Sequence, residues 1–239
     1  MSRTFLQLCQ STVSDLGVAG GVLTSVSGGS LNQEQQRIVN WVARADLYIQ
    51  NLWTDWNFLW YMDQAASGAA GTDYITPSLP SNADSIHSID KLSVYIDAGT
   101  VNARQVRWMD WNQFYRLYQM RVKSTETYPA FYSMDPSGKL WLSSKLASTK
   151  VFSMSYWFNP KGMTQGTDTS PIPTRFDTII VERAKIIYAQ REDAPEILNG
   201  STAEYMDQLD KMQAYCLPHN EAGRKLSNDS ITTPDAYVE

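Results

Sequence analysis

The sequence is poor in the residues that most often carry catalysis or hold metals. Its 239 residues include two cysteines and two histidines. Neither His87 nor His219 has a Cys or carboxylate at metal-ligand spacing, so no zinc site can be read and no cofactor is expected. No Gly-x-Ser-x-Gly elbow and no His-Glu-x-x-His pair occurs. The pairs Gly20-Gly21 and Gly28-Gly29 lack a following Lys-Ser or Lys-Thr, which excludes a phosphate-cradling loop. No apolar run suits a signal peptide or spans a bilayer, so no membrane association is expected. Positive charge is also short. Twenty Lys and Arg against 25 Asp and Glu give a net charge of −5. That balance argues against gripping nucleic acid through its phosphates, yet it suits a surface past which DNA slides. Cys9 and Cys216 each fall on the apolar face of an expected helix. Two free packed thiols are the expectation, and a disulfide between them the alternative.

What is abundant is apolar and aromatic: 43% hydrophobic and 12% aromatic residues, enough for a sizeable core. The organising stretch is an expected long helix from Gln33 to about Met62. Ile38, Val42, Ala45, Ile49, Leu52, Trp56 and Leu59 alternate spacings of four and three, the mark of one buried seam. Asn32 and Gln35 stand at capping-box spacing ahead of it. Five aromatics, Trp53, Trp56, Phe58, Trp60 and Tyr61, crowd its expected end, with Trp56 and Trp60 on one face. A helix end apolar on all sides needs covering on all sides, by the chain or by another copy.

Before that helix, Thr4 and Gln7 cap a short helix that Gly17 ends, and a Gly- and Ser-rich connection follows to Leu31. After it, Ala65 to Asp73 reads as a linker. Then the period becomes two. Leu92, Val94 and Ile96 alternate, Ala98-Gly99 turns, and Val101 to Trp108 returns. Asp110 opens a short helix through Tyr118, Tyr128 to Met134 is extended, and Asp135-Pro136-Ser137-Gly138 is a turn. Leu140 and Leu142 share a face, and Phe152, Met154, Tyr156 and Phe158 mark the clearest strand. Pro173 begins a helix to about Asp193 with Phe176, Ile180, Ala184 and Ile187 inward. Ala194-Pro195 interrupts, and Ser201 with Glu204 caps a last helix lined by Tyr205, Leu209, Met212 and Cys216. His219 to Glu239 is polar and aperiodic, a segment expected to be disordered alone. The fold class is therefore α+β. A helical bundle comes from 1–64 and 173–217, a mostly antiparallel β domain is inserted at 65–172, and an extended C-terminal tail occupies 218–239.

Candidate chemistry is thin. Glu204, Asp207 and Asp210 lie three apart on a helix, but opposite its apolar stripe they read as a solvated face. Distant carboxylates can still meet in a glycosidase, so a cell-wall hydrolase stays as a remote alternative. Exposed aromatics could stack on sugars, which keeps a carbohydrate-binding module open. Three exposed rings would already make a patch at the limit monomers tolerate, so core and subunit packing is the preferred role. The residues assigned to that packing are Ile38, Val42, Ile49, Trp53, Trp56, Phe58, Trp60, Tyr61, Phe176 and Ile180.

The succession of segments resembles a known family. Phe5-Leu6-Gln7-Leu8-Cys9-Gln10 precedes the Gly-rich stretch, and Arg37-Ile38-Val39-Asn40-Trp41-Val42 leads to Ile49-Gln50-Asn51-Leu52-Trp53 and Asp55-Trp56-Asn57-Phe58-Leu59. Tyr128-Pro129-Ala130-Phe131-Tyr132, Gly138-Lys139-Leu140-Trp141-Leu142 and Tyr156-Trp157-Phe158-Asn159-Pro160 follow. Pro171-Ile172-Pro173 then enters Phe176-Asp177-Thr178-Ile179-Ile180-Val181-Glu182-Arg183-Ala184. In this order, over nearly all of 5–195, these resemble the head-to-tail adaptor (connector) proteins of tailed bacteriophages. The resemblance implies a non-enzymatic virion protein of the neck, commonly a twelve-copy ring beneath the portal. Such rings extend the channel through which genomic DNA passes and present a platform for tail, nozzle or tail-completion proteins. It also implies that the C-terminal segment clasps the portal, here through Arg224, Lys225, Tyr237 and Val238. A different neck component, such as a tail-completion protein, is the nearest alternative.

Overall fold

Helix ends are set first by their caps. The computed structural model describes residues 2–18, 22–28 and 31–217. Helix α1 (Phe5–Leu16) starts on Thr4, whose side chain accepts from the Gln7 amide while Gln7 returns the bond, and ends on Gly17 at φ 63°. Only a residue without Cβ takes that left-handed turn freely. Helix α2 (Gln33–Gln50) begins with the expected capping box: Asn32 Oδ1 accepts from the Gln35 amide at 2.7 Å. Replacing Asn32 by Ala should cost about 1 kcal/mol, read as a lower urea midpoint. An unchanged midpoint would mean that packing alone holds this helix end.

Helix α2 is shorter than the sequence pattern suggests. It stops at Gln50, not near Met62. Asn51 donates to the Leu47 carbonyl from both its main-chain and its side-chain amide, at 3.1 and 2.8 Å, and Leu52 donates to Ile49 instead of continuing the α-helical ladder. Trp56 swings back to donate from Nε1 to the Ile49 carbonyl at 3.2 Å, and Asn57–Leu59 forms one 3-10 turn. Trp56 and Leu59 are still buried and Leu52 is half-buried, so beyond Gln50 the helical spacing marks burial without helix. Trp60 and Tyr61 belong to strand β1 (Trp60–Gly68), opposite Trp157 and Tyr156. Trp56 and Trp60 therefore do not share a helix face. The expected linker at Ala65 is also strand, because Ala65 to Gly68 pair with Ser153 to Lys150.

The strands that follow are β2 (Tyr74–Pro77), β3 (Ala83–Ile89), β4 (Tyr95–Ile96), β5 (Arg104–Gln105) and β6 (Arg107–Trp108). Val94 and Ile96 face inward, but Leu92 is exposed and Val101 fully so, and the expected return strand is split in two. A one-turn helix α3 (Trp111–Phe114) runs into a π-helical turn, Tyr115–Gln119. Then come β7 (Thr125–Glu126), β8 (Phe131–Met134), β9 (Leu140–Leu142), β10 (Lys145–Leu146) and β11 (Lys150–Pro160). The turn before β9 forms as the sequence indicates, with Asp135 accepting from the amides of Ser137, Gly138 and Lys139. The main sheet runs β5-β4-β11-β1-β2-β9-β8-β6, and β3 pairs with the second half of β11. Its two ends, β5 and β6, are almost adjacent in the chain. Between them Val106 is buried and donates its amide to the Val94 carbonyl at 2.9 Å. The sheet thus curls nearly into a barrel, which leaves little free edge for stray pairing. It is mostly antiparallel, with β6 and β8 its parallel pair; β7 and β10 pair in parallel as a separate two-stranded sheet.

Helix α4 (Thr178–Glu192) starts after a 3-10 turn at Thr174–Phe176, later than Pro173. It is buried on more than one side, at Ile179, Ile180, Val181, Ala184, Ile186 and Ala189, whereas Ile187 is only half-buried. Asp193 takes a left-handed conformation at φ 51°, and helix α5 (Pro195–Cys216) begins directly on Pro195. Proline suits the first helical position, so Ser201 lies inside the helix and is no cap. Tyr205, Leu209, Met212 and Cys216 line its buried side as the spacing indicates. Helices α1, α2, α4 and α5 pack on one another, and one cluster of buried apolar side chains runs from them into the sheet. The architecture is α+β.

Candidate functional site

No group of three or more His, Cys, Asp or Glu among the described residues could hold a metal ion. No helix among them is long and apolar enough to cross a membrane. Cys9 and Cys216 are free and buried, and burial pushes their thiols up to about 12 and about 11, far from the reactive thiolate. Glu204, Asp207 and Asp210 are solvent-exposed. The most enclosed carboxylate is Asp46, which is fully buried. It accepts from Ser170 Oγ at 2.5 Å and Gln50 Nε2 at 2.7 Å, out of reach of any substrate. Burial, opposed by these two bonds, raises it to about 6.

A polar cleft of about 560 Å³ lies between Tyr61, Asn82 and the loop 161–171. Its acid, Asp168, is already engaged by the amides of Thr164 and Gln165, both at 2.8 Å. Partial burial pushes this carboxyl up but is outweighed by those bonds, so it sits below the usual range. The backbone of the same residue accepts from the Phe5 amide, and Ser170 ties the loop to α2 through Asp46. This loop is a strap between sheet and helices, and the side chains of Thr164, Asp168 and Ser170 are spent on holding it.

The aromatic belt is spent in the same way. Trp53 meets Trp56 edge-on at 5.1 Å and Phe58 stacks on Trp56 at 5.2 Å. Trp60 lies on Trp157 with ring centroids 3.9 Å apart, and Tyr61 meets Phe158 edge-on at 5.4 Å. Ile38, Val42, Ile49, Trp56, Phe176 and Ile180 are buried, Trp53, Phe58 and Tyr61 are half-buried against that core, and Trp60 is half-buried against Trp157. The belt is the joint where helices meet sheet. Arg224, Lys225, Tyr237 and Val238 lie outside the described residues.

The surface that stands out was not singled out by the sequence. It is the arm from Trp111 to Lys123, propped on the barrel by Phe114, Tyr118 and Phe131, whose successive ring centroids are 5.2 and 6.1 Å apart. Lys123 anchors its far end, paired with Asp73 at 2.9 Å. Between these props Tyr115 is 46%, Leu117 40%, Met120 70% and Val122 101% exposed. Arg116 and Arg121 are exposed beside them and make no ion pair among the described residues. From 104 to 150 the chain carries eight Lys or Arg and three Asp or Glu, a local +5 within a total of −5. Most of those cations are occupied: Arg104 lies over Tyr128, Arg107 over Phe131, Lys139 over Trp141, and Lys150 pairs with Asp97. The sequence signal was the interleaving of apolar residues with arginine over 115–122. Its exposure depends on what the rest of the chain leaves uncovered.

Neither the protein-family models nor the curated proteins compared with this chain give a match.

Proposed function

We propose that this chain is a structural protein of the neck of a tailed bacteriophage, an adaptor that joins the portal to the tail and extends the DNA channel. It works by binding and carries no catalysis. In this reading α1, α2, α4 and α5 form a ring-building bundle, about twelve copies assemble beneath the portal, and the β unit turns outward or toward the tail machinery. Residues 218–239 clasp the portal, with Arg224, Lys225, Tyr237 and Val238 as contacts. The net negative charge lets genomic DNA pass through the lumen without being held.

The observation that carries this reading is the ordered succession of family-like segments over 5–195. Its physical support is that these segments meet. Ile38 and Val42, Trp56, Tyr156 and Phe158, and Phe176 to Ala184 all contribute to one buried cluster at the helix–sheet joint. The exposed apolar arm adds a surface suited to a protein partner, since Tyr, Met and Arg are the residues that interfaces favour.

Native mass spectrometry of the chain, alone and with the portal of its phage, tests the reading. Assembly of a multi-copy ring on the portal supports it, and a chain that ignores the portal sinks it. A chain cut after Pro218 should keep its melting temperature and lose portal binding. Normal binding by the truncated chain would remove the tail from the proposal.

A further inference from the structure

We infer that the arm at 115–122 docks on the outward face of α5 of a second copy of this chain, in a head-to-tail contact. This rests on the adaptor reading and revises its ring part, since the β unit, through this arm, joins the bundle in building the ring. Four large apolar side chains are exposed within eight residues, and Val122 is wholly uncovered, so the described residues supply no cover. Single exposed apolar residues are ordinary, whereas a group within one short segment marks a contact surface. No Asp or Glu lies between 111 and 125, and Lys123 is taken by Asp73. Arg116 and Arg121 make no ion pair among the described residues, and although Glu126 lines the same shallow pocket as Arg121, the apolar group keeps a net positive charge. The partner must offer exposed carboxylates next to apolar surface.

The same chain carries such a surface on a different element. Helix α5 buries one side against α4 and turns Glu196, Glu204, Asp207 and Asp210 to solvent. It holds one basic residue, Lys211, which pairs with Asp207 at 2.5 Å. Met206 is half exposed among these acids, while Gly200 and Ala203, in step with Asp207 and Asp210 along the helix, let a second surface approach closely. The two faces are complementary in charge and both incompletely covered. A contact between unlike faces is heterologous, the kind that closes into a ring when the rotation allows. Nucleic acid is the less suitable occupant, because two guanidiniums among four exposed apolar side chains resemble a protein hot spot more than a phosphate track.

Cross-linking of the full-length chain tests the contact. Arg116→Lys/Arg121→Lys keeps the charge and allows a carbodiimide to join these positions to carboxylates, and mixing isotope-labelled with unlabelled copies identifies links between chains. The expected links run from 116 and 121 to the α5 acids. Arg116→Glu/Arg121→Glu should weaken self-association by at least about tenfold, and adding Asp207→Lys/Asp210→Lys to the same chain should restore it. Absence of α5 links, or association unchanged by the reversal, overturns the contact. So does a fluorescein-labelled DNA duplex that binds through 116 and 121 without inter-copy links, which would make the arm a nucleic-acid surface. Copies that associate through these residues yet ignore the portal would sink the adaptor reading and leave the contact standing.

Discussion

Trp56→Ala is expected to lower the unfolding free energy by about 3–5 kcal/mol, the range for truncating a fully buried tryptophan. The side chain has no solvent exposure. It touches Trp53 and Phe58 and donates to the Ile49 carbonyl in the turn that ends α2. Its loss opens a cavity at the point where the chain leaves the helices and enters the sheet. Trp60→Ala should cost less, about 1–2 kcal/mol, because Trp60 is half-buried and lies tilted against Trp157 on the sheet. Urea unfolding of both variants gives the comparison. Equal losses would mean that the two residues serve one packed face, as a continuous helix through 62 would have required. Trp56→Phe keeps most of the ring contact and should fall between wild type and Ala.

Asp46→Asn is expected to stabilise the protein at neutral pH and to do so progressively less in acid. Burial raises the Asp46 carboxyl from the ordinary 3.8 to about 6, against two hydrogen bonds that lower it and the charge of Asp177, which raises it further. The folded state thus holds this proton more tightly than the unfolded state. Stability from the protonated acid is present below about pH 4 and declines as pH rises through about 6. Above that, the ionised buried group costs about 2–3 kcal/mol relative to a neutral one. Asparagine fits the site, since it can accept from one neighbour and donate to the Ser170 oxygen or to Gln50 Oε1, which is buried with no hydrogen-bond partner among the described residues. The difference in unfolding free energy between variant and wild type, measured at pH 4 and pH 7.5, isolates this group from the rest. A difference that is flat with pH would show that Asp46 does not titrate in this window.

Local chemistry made much of the fold legible. The caps at Thr4 and Asn32, the left-handed stop at Gly17, the turn at Asp135 and the buried face of α5 all depend on residues within a few positions of one another. Such short-range hydrogen bonds and periodic burial leave their pattern in the sequence itself. The alternation Phe152, Met154, Tyr156, Phe158 likewise fixed a half-buried strand, and all four side chains are buried. The same local reasoning ran α2 twelve residues too far, from Gln50 to Met62. Trp56 and Leu59 are apolar at helical spacing but are buried from a turn, and periodicity records burial without recording the backbone that delivers it. The sequence by itself determined the caps of α1 and α2, most of the core residues and the α+β class, because each rests on neighbours along the chain. Three further features came only with the tertiary structure: the sheet curled so that 104–108 meets both its ends, Asp46 sealed beneath Ser170, and the arm at 115–122 left uncovered. Each depends on pairings between residues far apart in sequence, and whether a surface stays bare is decided by everything that fails to pack against it.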